Sequence, residues 1–217
     1  MEKEKLVKIE VHEWRKRLRF LADIIFASSM SIMVFNIEIP EFGHISNTAE
    51  LAKFLLKQLN NMGAFFIAFM IISVYWVKHL EHFGAIRIVN QTFIWFQLLF
   101  LSSIMLIPFW NTYIAQFPEN VAIKVFLSAN MVLVGLFSFL SINYAVNPKH
   151  RLIIEDVTDE EIRATKLQII TEPIIAIFAA GLVFINPILW DLAFILVPLL
   201  FFLRKKLIKI KYFKLKK

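Results

Sequence analysis

The side chains with chemistry to offer in this sequence are polar or ionisable groups set inside long apolar runs. The first run, Phe20–Ile39, holds Asp23, Ser28, Ser29, Ser31 and Asn36, with Glu38 near its far end. Later runs hold Gln97, Asn130, Asn143 and Glu172. A charge at the centre of a bilayer costs at least about 2.5–3.5 kcal/mol, so such groups face protein or water and mark either helix contacts or a path for ions or protons. Asp23 reads in two ways: as an interfacial carboxylate paired with Arg17 or Arg19, or as a buried anchor bonded to a neighbouring helix. Ser28, Ile32 and Phe35 fall at i, i+4 and i+7 on one helical face, with Ser31 beside them. Serines in a membrane helix serve close packing or line a pore. Glu172 directly precedes Pro173, where the backbone ladder is interrupted, and is the candidate for proton relay.

Catalytic chemistry is not evident. His79 and His82 flank Glu81 at i, i+3, but no third ligand stands at the usual spacing, so no metal site is expected. There is no cysteine, which removes thiolate ligands, disulfides and cysteine nucleophiles. Only five glycines occur and none forms a phosphate loop. The sequence predicts neither an enzyme nor a cofactor.

The elements that must position these groups follow from composition. Hydrophobic residues make up 59% of the 217, and charged residues 19%, against about 25% charged in a soluble domain. One soluble core of this size could not hide so much apolar surface. Spans of about 20 apolar residues are expected at 20–39, 61–77, 93–115, 121–146, 167–185 and 187–203, forming a single all-α unit over 1–217. Leu51–Leu59 either extends the second span or lies at the interface. Pro40 closes the first span, and Asn186-Pro187 makes a tight turn before the last, where proline at a first helical turn is well tolerated. Thr158 with Glu161 fits a capping box in the connector before the fifth span. No internal repeat is visible, which disfavours the inverted-repeat architecture of many transporters.

Charge sets the topology. Of the 24 Lys and Arg residues, 21 fall in the N-terminal segment, the second-to-third and fourth-to-fifth loops, and the tail from Arg204; only Lys53, Lys57 and Lys124 fall on the other side. The positive-inside rule then places both termini in the cytoplasm of a multi-pass cell-membrane protein. The charged N-terminus lacks the apolar core of a signal peptide and is expected to be retained. The tail KKLIKIKYFKLKK is expected to lie on anionic lipid headgroups. The net charge of +7 is explained by this distribution, so no nucleic-acid partner is expected.

The stretch Arg17-Leu-Arg-Phe-Leu-Ala-Asp23-Ile-Ile-Phe26-Ala27, running on to Pro40, resembles the first helix of the transmembrane protein 175 family, the lysosomal and prokaryotic potassium channels. Trp76-Val-Lys-His79 with Phe83 resembles the end of that family's second helix, and Trp95-Phe-Gln97 with Ile107-Pro108-Phe109 its third. The resemblance implies a homotetramer of six-helix subunits whose first helices line a central pore for permeant K+. It implies that Arg17, Asp23, Trp76 and His79 are structural anchors, Asp23 contacting Trp76 and His79, and that Ser28, Ser31, Ile32 and Phe35 line the pore. Phe-Ser-Asp of the family is Leu21-Ala22-Asp23 here, and Ser28 stands where the family's narrowest ring is isoleucine or leucine. Either the hydrophobic gate has moved outward to Ile32 and Phe35, or the register shifts by one residue, or selectivity differs. No TVGYG-like carbonyl filter is present, so modest selectivity is expected.

The leading expectation is a passive, potassium-preferring cation channel. The alternative is a proton-coupled secondary transporter using Glu172 or Asp23, and a third reading is a membrane scaffold that transports nothing.

Overall fold

The computed structural model describes residues 2–37, 39–40, 47–150, 152–154 and 157–195. The side chains of 2–12, Asn36, Asn60 and Glu172 lie outside the described residues, as do positions 196–203 of the sixth expected span and the basic tail. The chain is an all-α integral membrane protein. Its helices are α1 (Glu2–Ile32), continued by a 3₁₀ turn (Met33–Asn36), α2 (Thr48–Gly84), α3 (Gln91–Gln116), α4 (Val121–Ala145), α5 (Asp159–Leu182) and α6 (residues 187–195). Among the described residues five of these are long and apolar enough to cross a membrane.

The helix starts are written in asparagine and threonine. Asn47, Asn90 and Asn120 each accept a bond from the backbone amide three residues on, and Thr158 closes a reciprocal capping box with Glu161. Asn186 accepts from the Ile188 amide, with Pro187 at the first helical position of α6. Each cap satisfies amides that a helix start leaves without partners. Three helices outrun the apolar windows: α1 begins at Glu2 rather than 20, α2 at Thr48 rather than 61, and α5 at Asp159 rather than 167. Hydropathy registers only the part of a helix in lipid, whereas the cap registers where the backbone begins to coil.

Ala22 and Phe26 of α1, Met33 of the 3₁₀ turn, Ile72 of α2, Leu101 and Ile104 of α3 and Val134 of α4 share one core. Polar bonds also join the helices. Gln97 donates to Ser141 at 2.6 Å, Asn130 to the Ser103 carbonyl at 3.0 Å, and Lys166 to Asn143 at 2.8 Å. The polar residues of the third and fourth spans therefore tie helix to helix.

A second core gathers Leu18 of α1, Phe83, Ile86, Val89 and Phe93 around the α2–α3 loop, Ala145 at the end of α4, and Leu152 beyond it. Ile86 and Ile153 form an isolated antiparallel bridge, and the Arg87 amide donates to the Leu152 carbonyl at 2.7 Å. The two loops that charge counting puts on one side of the membrane are thus joined at one end of the bundle, together with the N-terminal part of α1.

Close approach of α4 and α5 depends on Gly135. A Cβ there would lie 2.6 Å from Cδ of Pro173, a ring that cannot rotate away. Gly135→Ala is expected to destabilise the protein by about 1–3 kcal/mol, as overpacked sites do. Gly181→Ala on α5, whose Cβ would meet nothing within 4 Å, is expected to be neutral or slightly stabilising. Thermal unfolding of the two purified variants checks the contrast.

Candidate pore helix

Helix α1 has two opposed faces. Leu18, Ala22, Phe26, Ser29 and Met33 recur every three or four residues and are buried against the rest of the subunit. On the other side Ile24, Ser28, Ser31, Ile32 and Phe35 are all exposed, Phe35 to 83%. All four residues expected to line a pore therefore lie on the face that packs against nothing in its own subunit. Three of them, Ser28, Ile32 and Phe35, form a line along it.

The α-helix tightens to 3₁₀ just where this line reaches its outer part, over Met33–Asn36. In a 3₁₀ segment residues i and i+3 eclipse, so Ile32 and Phe35 point in nearly the same direction. With a rise of 1.5 Å per residue in the α-helix and 2.0 Å in 3₁₀, Ser28, Ile32 and Phe35 mark three levels roughly 6 Å apart. The Ser31 hydroxyl donates to the Ala27 carbonyl at 2.8 Å. With its proton held by the helix, the oxygen keeps its lone pairs for a cation.

The opposite side of α1 is fixed to α2 and α3 by the signature residues. Trp76 donates from Nε1 to Oδ1 of Asp23 at 3.1 Å. Of the two ways to read Asp23, the bond to a neighbouring helix is the one the geometry contains. His79 engages α1 through an apolar contact instead. Its ring lies 5.6 Å from that of Phe26 and stacks on Phe100 of α3 at 5.7 Å and 14°. It is buried, and its Nε2 has no hydrogen-bond partner among the described groups. Arg17 is exposed on α1, outside this cluster.

Sequence reasoning missed one polar assembly. Lys124 was counted only as a charge of the outer side, yet it is fully buried near the start of α4. Its Nζ donates to both carboxylate oxygens of Asp191 at 2.9 and 2.8 Å and to the Pro187 carbonyl at 2.9 Å. The ammonium lies 5.1 Å from the Trp190 ring centroid, and Trp190 donates to Ser128 at 2.8 Å. The available signal was two opposite charges, each alone in an apolar run, at VAIKVF and PILWDLAF.

Comparison with known proteins agrees with this architecture. The model of the family described as endosomal/lysosomal potassium channel TMEM175 matches residues 17–108. The crystal structure of a lysosomal potassium-selective channel TMEM175 homolog from Chamaesiphon minutus superposes with a TM-score of 0.75 at 21% identity, covering 88% of this chain and 98% of that one. A single-site variant of the potassium channel MtTMEM175, solved with a nanobody–MBP fusion protein, superposes with a TM-score of 0.61 at 16% identity, covering 89% of this chain and 93% of that one. No match was found among curated protein sequences. The family's model thus matches residues 17–108, which carry most of the α1 span and the residues that hold it, and the chain as a whole shares its fold with these two channels.

Proposed function

We propose that this chain is the subunit of a potassium-preferring cation channel. Four copies surround a central pore lined by the exposed face of α1. The observation that carries the reading is the division of α1 into a buried face and an exposed face bearing hydroxyls and large apolar side chains in register. An entirely lipid-facing helix has no use for the serines, and a packing helix would have buried them. Potassium is preferred by analogy with the channels whose fold the chain shares.

In this arrangement Ser28 and Ser31 offer oxygens that substitute for water around a passing ion, and Ile32 and Phe35 form the apolar rings that resist wetting. Asp23, Trp76 and His79 act at a distance from the ion. They hold α1 at a fixed rotation, so that a pore built from four helices keeps its register. Arg17 joins them as an anchor midway along α1, where the charged N-terminal segment meets the span. The charge distribution supports cytoplasmic termini in the cell membrane, with the basic tail on anionic headgroups.

Reversal potentials of purified protein in a planar bilayer test the proposal. Current is expected without any proton gradient, reversing closer to the potassium than to the sodium equilibrium potential. Uptake that saturates and requires a pH gradient would replace the channel by the coupled transporter.

A further inference from the structure

Between α2, α3, α4 and α6, beside the Lys124–Asp191 pair, lies a cavity of about 320 Å³. Its walls include Ile67 and Ile71 of α2, Ile107 of α3, Met131 of α4 and Phe194 of α6. Two polar side chains interrupt this apolar lining, Asn111 and Asp191. Asn111 is buried, and its amide nitrogen has no partner among the described groups. A buried donor left without an acceptor costs on the order of 1–3 kcal/mol, and a half-turn about χ2 exchanges the two ends of the amide at little cost. Asp191 brings a carboxylate already neutralised by Lys124.

We propose that this cavity binds a neutral amphiphile with a hydroxyl head and an apolar body. The charge balance selects the head. A cationic head would place a second positive charge near Lys124, and an anionic head would meet the Asp191 carboxylate. A hydroxyl both accepts and donates, so it suits a site that offers an amide donor and a carboxylate acceptor. The walls select the body. A dry apolar cavity of about 150 Å³ holds benzene, so twice that volume takes a ligand of about ten non-hydrogen atoms. The site stands apart from the exposed face of α1, and the inference does not rest on the pore assignment.

The probe is 8-bromo-1-octanol, titrated into purified full-length protein in detergent with no ion gradient. Its bromine quenches tryptophan on contact, and Trp190 lines the cavity. Saturable quenching is expected, relieved by 1-octanol and not by octane at the same concentration. Gly63 lines the cavity, and a Cβ added there meets nothing within 4 Å. Gly63→Phe, whose Cβ meets no obstacle, is expected to take up part of the space and abolish the saturable component. Asn111→Leu should weaken binding of the bromo-alcohol about tenfold, the worth of one hydrogen bond. Quenching that rises without saturation, to the same extent in Gly63→Phe, would mean partition into the micelle and would overturn the site. Equal relief by octane and 1-octanol on the native protein would overturn the hydroxyl recognition, whatever the variants do.

Discussion

Ile32→Asn is expected to raise the cation current of reconstituted protein about tenfold at equal protein density. The proposed resistance to ions is a short dry stretch where the 3₁₀ turn stacks Ile32 and Phe35 over one another. An ion crossing it sheds water and receives nothing in return. An amide at position 32 supplies an oxygen to the ion and lets water remain, and a barrier lowered by about 1.4 kcal/mol corresponds to a tenfold rate. Phe35→Ala acts in the same direction by widening the outer ring. Ser28→Ile acts in the opposite direction, because it adds a third apolar ring below the other two. These positions are exposed and belong to neither buried core of the subunit, so the variants should fold and elute as the native protein does. Proteoliposome flux on all three decides the matter. Should Ile32→Asn and Phe35→Ala both conduct as the native protein does, α1 does not line the pore as assigned.

The sequence was most legible where one physical constraint acts alone. Apolar length pointed to the helices, and the Lys/Arg count put the second-to-third and fourth-to-fifth loops on one side, where the bridge between Ile86 and Ile153 joins them. Asp23 and Trp76 were paired through resemblance, and the hydrogen bond is there. The resemblance also put His79 beside Asp23, and its ring packs in addition on Phe26 and Phe100. Spacing places a ring on a face without saying which neighbour it meets. The 3₁₀ turn had no signal, because Met33-Val-Phe-Asn contains neither glycine nor proline. It makes Ile32 and Phe35 point more nearly the same way than α-helical spacing implies. Gly135 was equally silent, since its need arises from Pro173 on another helix.

Lys124 and Asp191 are the clearest case of a feature that single-span reasoning hides, and they carry the largest expected effect on stability. All three ammonium protons are bonded, two to one carboxylate and one to a backbone carbonyl, so the pair clamps the start of α4 to the start of α6. The two partners differ in surroundings: the Lys124 side chain is 1% exposed and that of Asp191 43%. Removing the carboxylate strands a buried charge, whereas removing the ammonium leaves a carboxylate that water can reach. Asp191→Asn should therefore cost about 3–5 kcal/mol, the penalty of an uncompensated buried ion, and lower the melting temperature by on the order of 10 °C. Lys124→Met should cost distinctly less. The double variant Lys124→Met, Asp191→Leu should recover much of the loss, because it buries no charge and replaces the pair by apolar volume. A thermal-shift series on the four proteins measures the asymmetry. Equal losses in the two single variants, or a double variant no better than Asp191→Asn, would show that the clamp acts through hydrogen-bond geometry rather than through charge held out of water.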